Sequence, residues 1–352
     1  MWSDLLVGYG LFILEMLTLI LVVAAVVLAS ISLKRRNAAQ SGELVIKNLS
    51  QEYENNRKKL ADFYLSEEEI KQQEKVQKKE EKSKAKAEKM KRKKGENVGS
   101  DRKPHLYVLD FKGDISASET TALREEISAI IAVAKAEDEV LLRLESPGGV
   151  VHGYGLAASQ LARLKTHQIK LTIAVDKVAA SGGYMMACVA DKIIAAPFAI
   201  IGSVGVVAQI PNVHRLLKKH DIDVDVMTAG EYKRTMTVLG ENTEKGKEKF
   251  RQELEETHQL FKQFVAQNRP HLDMEKIATG EHWFGQQALA LNLVDELQTS
   301  DDVILGAIKD KLVLSVKYMT KKSLLQKLGK QAEESADNVL LSWLKRNQRI
   351  LL

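Results

Sequence analysis

VLLRLESPGGVVHGYGLAASQLARLK, residues 140–165, carries an apolar strand, a glycine turn and an amphipathic helix in one stretch. The aliphatic run ends at Ser146-Pro147-Gly148-Gly149, and beyond that turn the apolar residues recur at helical spacing. The plan then repeats. KLTIAVD (170–176) reads as a strand, GGYMMACVA (182–190) as a short buried helix, and DKIIAAP (191–197) as another strand. Upstream, LYVLDF (106–111) is a strand and ETTALREEISAIIAVAKA (119–136) an amphipathic helix. Downstream, IDVDVMTA (222–229) reads as a strand and GKEKFRQELEETHQLFKQFVAQN (246–268) as a long amphipathic helix, the alternation closing near Tyr318. Strands alternating with helices at this rhythm build βαβ units on a parallel sheet, so the expected fold class is α/β.

The flanks of this body, 104–320, are of a different kind. Residues 5–33, LLVGYGLFILEMLTLILVVAAVVLASISL, carry one charge, Glu15. About 20 apolar residues cross a bilayer core, so 1–36 is expected to be an uncleaved membrane anchor. A cleaved signal peptide has a basic start and a shorter apolar region, and this chain begins Met-Trp-Ser-Asp. Residues 37–103 are rich in Lys, Glu and Gln and read as a partly helical basic stalk and linker. Residues 321–352 have the pattern of a helical tail.

The whole chain of 352 residues has a formal charge of +5, but Lys71–Lys94 alone contributes +8 and the remainder sums to −3. The basicity is one local tract with no interleaved aromatics, suited to solvent or to anionic lipid heads and not to reading nucleic acid. A single cysteine, Cys188, excludes an internal disulfide and a CxxC metal site.

No GxSxG elbow, GxxxxGK[ST] loop, HExxH or EF-hand pattern occurs, and the eight histidines are scattered. SxxK patterns begin at Ser83, Ser100 and Ser342, all in stalk, linker or tail, where nothing desolvates a lysine. Glycine turns after strands are more specific. There are three: Ser146 to Gly149, Ala179-Ala180-Ser181-Gly182-Gly183-Tyr184, and Gly202-Ser203-Val204-Gly205-Val206. In open α/β sheets sites gather at the carboxyl ends of strands, where glycines admit substrate closely and expose N–H groups to an oxyanion. Ser181 is the natural nucleophile, followed at once by the N–H of Gly182 at an expected helix start. With no convincing histidine, a lysine kept neutral by burial can serve as base. Lys233, in Gly230-Glu231-Tyr232-Lys233-Arg234, is a candidate in the right neighbourhood that physical reading does not single out.

At these residues the sequence resembles the signal peptide peptidase A family of membrane-anchored serine proteases. DKVAASGGYMMACVADKI, IGSVGVVAQ, AGEYKRT, GENTEKGKEKFR, ATGEHWFGQQA and NLVDEL carry the resemblance, which covers essentially the whole chain. It implies a ClpP/crotonase-like spiral of ββα units behind the N-terminal transmembrane helix and stalk. It implies a Ser/Lys dyad of Ser181 and Lys233, oxyanion donors at Gly148 and Gly182, and Ser203 orienting the lysine. No metal or cofactor is implied. Family members form dome-like or bowl-like homo-oligomers, and one protomer need not hold a complete site.

The expected function is therefore a membrane-anchored serine endopeptidase acting on signal-peptide remnants or other membrane-associated polypeptides. Its expected partners are unfolded peptide substrates, membrane lipid around the first helix, and further copies of itself. A crotonase-type acyl-CoA enzyme and a catalytically silent membrane scaffold are the alternatives. The former needs neither dyad nor anchor. Lys34-Arg35-Arg36 after the apolar run favours a cytoplasmic body, whereas the family is placed on the periplasmic side of the bacterial inner membrane.

Overall fold

The structure, a computed structural model, describes residues 42–66 and 102–320 as continuous runs, with isolated positions at 16, 18 and between 68 and 83. All of the expected anchor but positions 16 and 18, most of the basic tract and the expected tail lie outside the described residues. Among those described, no helix is long and apolar enough to cross a membrane.

In chain order the elements are β1 (Gly42–Asn48), α1 (Leu49–Asp62), β2 (His105–Lys112), α2 (Thr120–Val133), β3 (Glu139–Glu145), α3 (Val151–Thr166), β4 (Lys170–Val175) and β5 (Val178–Ala180). There follow α4 (Gly182–Ala187), β6 (Lys192–Ala195), β7 (Ile200–Gly202), α5 (His214–Lys219), α6 (Glu244–Asn268) and α7 (Met274–Ile277). The last are β8 (His282–Phe284), α8 (Gly285–Ala290), β9 (Glu296–Leu297), α9 (Ser300–Ala307) and β10 (Leu312–Thr320).

Seven strands form one sheet in the order β1-β10-β2-β3-β4-β6-β9, and every pairing from β10 to β9 is parallel. Its central strands are aliphatic on both faces, as a sheet covered on both sides requires. The two-residue period sorts them. Tyr107, Leu109, Phe111, Val140, Leu142, Leu144, Leu171 and Ile173 enter the main core with α2, α3 and α4. Leu106, Val108, Leu141, Ala174 and Ile194 face the other way, against Ile304 of α9 and Leu49 and Tyr53 of α1. A second sheet, β5-β7-β8, joins the first through a bridge between Ser146 and Ala179. It carries the turns of interest.

Two expectations are corrected. Gly42–Asn48, assigned to the stalk, is an edge strand, and Val313 N–H donates to Ser50 Oγ at 2.9 Å, so the start of the stalk belongs to the body. Residues 222–229 form no strand. Their alternating Asp and aliphatic residues have the right period, but no neighbouring strand accepts them, and Met227 stands 88% exposed. The other strands and helices read from the sequence, from 106–111 to 246–268, fall within a few residues of the observed elements, while β5 and β7 to β10 were not anticipated. The end of α6 is held by Arg269, whose guanidinium grips Asp295 at 2.9 and 2.6 Å.

Candidate active site

Ser181 lies between the end of β5 and the first residue of α4 with φ 53° and ψ −120°, a backbone conformation strained for a residue with a side chain. Strand, strained serine and helix in immediate succession make a nucleophile elbow, although the sequence lacks the GxSxG pattern. The elbow is clamped from both sides. Ala180 N–H donates to Ser146 O at 3.0 Å and Ser146 N–H to Val178 O at 2.8 Å, while Ser181 N–H donates to Gly202 O at 2.8 Å. Ser181 Oγ itself makes no hydrogen bond among the described residues and does not cap the helix. It is free to attack.

Gly148 has φ +93°, and a Cβ there would lie 2.7 Å from Ser181 Cβ and 2.9 Å from Gly182 N. The two expected donors and the nucleophile are thus in van der Waals contact, and only glycine fits. Gly148 N–H, expected to be an oxyanion donor, is instead spent on Ser146 Oγ at 3.1 Å. The N–H groups of Gly149 and of Gly182 have no acceptor among the described residues. α4 has six residues, so what it offers an anion is these local N–H groups more than a long helix dipole.

Ser203, also at positive φ (53°), follows the Gly202 carbonyl that receives Ser181 N–H, and its own N–H donates to Glu281 O at 2.7 Å. Sequence reasoning therefore brought four of its five residues into one cluster. Lys233 is the exception. It sits in a turn closed by its own N–H to Gly230 O at 3.2 Å, is exposed, and has no hydrogen bond to Ser181 or Ser203. The surrounding segment, 205–243, contains only the short α5 as regular structure.

Two other groups in the body, Cys188 and His258, are poorly placed for this chemistry. Burial pushes the Cys188 thiol up to about 12, which leaves it an inert core residue. His258 Nε2–H donates to Val204 O at 3.3 Å, holding the Ser203 loop from α6. Sequence reasoning missed the support beneath the glycine turn, Ser146 with Tyr154. The Tyr154 hydroxyl lies 2.6 Å from Ser146 Oγ and donates to Asp114 O at 2.8 Å. Burial raises the phenol's pKa, so it stays a donor. A tyrosine inside an apolar helix gives no signal of such a role.

An unbonded serine on a strained elbow, packed against the glycine turn at Gly148 and followed by the unbonded N–H of Gly182 on a mixed α/β scaffold, defines a serine hydrolase. Comparison with known proteins narrows this. The family model described as Peptidase family S49 N-terminal matches residues 4–161, and that of Peptidase family S49 matches 163–314. "Probable protease SohB" of Haemophilus influenzae is 70% identical over 349 residues, 99% of this chain and 99% of its own. Its namesake from Buchnera aphidicola subsp. Schlechtendalia chinensis is 51% identical over 303 residues, 86% of this chain and 99% of its own. Among solved structures, a chain of the 1510-N membrane-bound stomatin-specific protease reaches a TM-score of 0.40 at 15% identity, covering 64% of this chain and 96% of its own. The chain belongs to peptidase family S49 and is a serine peptidase.

Proposed function

We propose that this peptidase is an endopeptidase with a Ser181/Lys233 dyad, acting on signal-peptide remnants or other membrane-associated polypeptides. Ser181 Oγ attacks the scissile carbonyl and passes its proton to the Lys233 amine. The negative charge that develops on the carbonyl oxygen is met by the N–H of Gly182 and by that of Gly149, in the same turn as the expected donor Gly148, whose own N–H is held by Ser146 Oγ. Lys233 then protonates the leaving amine, and water, activated by the same lysine, releases the acyl chain from Ser181. Ser203 orients the lysine. The observation that carries this reading is the strained, unbonded Ser181 in contact with Gly148 and Gly182.

Lys233 is exposed and not bonded to Ser181, so this dyad requires closure of segment 205–243 or assembly into a homo-oligomer. Other parts of the reading rest on the family. The body is a ClpP/crotonase-like spiral, tethered by residues 1–36 to the bacterial inner membrane through a basic linker, followed by the tail 321–352. It lies on the periplasmic side.

Lys233→Arg tests the dyad, because a guanidinium stays charged and cannot act as base. Turnover of an apolar peptide by the full chain should fall by at least about 10³-fold with the fold intact. A near wild-type rate in Lys233→Arg overturns the dyad.

A further inference from the structure

We infer that Ser146 and Tyr154 are positioning residues that set the oxyanion donors through a one-way chain of hydrogen bonds. This rests on the reading above, in which the Gly148–Gly149 turn and Gly182 bind the oxyanion. The direction of the chain follows from counting protons. Tyr154 has a single hydroxyl proton, and it is spent on Asp114 O at 2.8 Å. The 2.6 Å contact between the two hydroxyls must then carry the proton of Ser146, which donates to Tyr154. That leaves a lone pair on Ser146 Oγ for Gly148 N–H at 3.1 Å. Each group is used once, in the order Gly148, Ser146, Tyr154, Asp114.

Ser146 and Tyr154 are both fully buried, so water cannot replace a lost link. Fixing the Gly148 N–H fixes the plane of the Pro147–Gly148 peptide, the frame from which Gly148, at φ +93°, turns the chain towards the unbonded N–H of Gly149. The same tyrosine supports the second donor. A Cβ added at Gly182 would overlap the Cβ, Cγ and Cδ2 of Tyr154, so the start of α4 rests on that side chain. Ser146 also pairs through its backbone with β5, the strand that delivers Ser181. Both donors and the nucleophile are referenced to one buried pair. None of this pair reaches the substrate.

Tyr154→Phe keeps the ring under Gly182 and removes only the link. In the full chain it should lower kcat by about 10- to 100-fold, somewhat less than outright loss of an oxyanion donor. KM should stay within about 2-fold, because the contact matters only once the oxyanion forms. Ser146→Ala breaks the same chain, so the double variant should be no slower than the slower single. The specific readout is oxygen against sulfur. An N-acyl-peptide methyl ester and the matching thionoester differ at the atom the donors hold, and the wild type should prefer the ester by at least about 10-fold. That preference should shrink in both variants. If the wild type shows no preference, the oxyanion reading itself fails and this inference with it. If the wild type prefers the ester and folded Tyr154→Phe or Ser146→Ala keeps that preference, the positioning role is overturned, whatever happens to kcat. Should Tyr154→Phe not fold, Ser146→Ala alone decides by the same criterion.

Discussion

Ser181 holds φ 53° and ψ −120°, so the residue that must be reactive is also the one that is strained. Glycine accepts such angles without cost to a side chain. Ser181→Gly should therefore abolish turnover while raising stability by about 1 kcal/mol, read as a higher urea midpoint at an unchanged slope. An unchanged or lower midpoint would mean the elbow is not strained. Gly148 is the reverse case. Gly148→Ala places a Cβ 2.8 Å from Ala180 O at φ +93°, so it should cost about 1–3 kcal/mol and remove activity. Ser181 was legible in the sequence because strand, serine, two glycines and an apolar helix follow one another without a gap. Tyr154 was not, because its hydroxyl's partner, Asp114, is 40 residues away and an aromatic in an apolar helix looks like core filling. The proposed base, Lys233, rests on resemblance alone, since a lysine in a polar loop carries no mark of its own.

At the scale of elements, the alternation of aliphatic strands and amphipathic helices was readable because each central strand pairs in parallel on both edges and is covered on both faces. The misread cases are those where a period exists without a partner, as at 222–229, or where a partner lies far off in sequence, as for β1 beside β10. β10 is also tied to α2, through Tyr318 N–H to Glu126 Oε1 at 2.7 Å. Glu126 is buried, and desolvation raises its pKa to about 7, with Glu119 and Asp110 adding to the rise and the Tyr318 hydrogen bond and Lys317 opposing it. A carboxyl whose folded pKa exceeds its unfolded value of 4.5 binds its proton more tightly when folded. Its contribution is thus fully present below about pH 4.5 and is lost as pH rises towards 7. The loss should be on the order of 3 kcal/mol. Glu126→Gln, which keeps the acceptor, should remove that part of the pH dependence in urea titrations between pH 4.5 and 8. An identical slope in the variant would show that Glu126 does not titrate in this range.

For the whole molecule, α6 spans 25 residues but buries only Phe261 and Val265, both in its second half, while Leu260 is 66% exposed. Val207 at 84% and Met227 at 88% exposure lie in the neighbouring segment, the one that bears Lys233. The proposed homo-oligomer would cover apolar groups of this kind. The full chain should therefore self-associate at micromolar concentration, and loss of assembly should lower turnover because it leaves Lys233 away from Ser181. Sedimentation that finds only active monomer would contradict this. The account stands or falls first on the nucleophile. The most direct measurement is reaction of the full chain with a fluorophosphonate, followed by mass spectrometry of its peptides. The adduct is predicted on Ser181 alone, and none on Ser181→Ala protein. A stable adduct on another serine, or labelling that survives Ser181→Ala, would contradict the assignment of the active site.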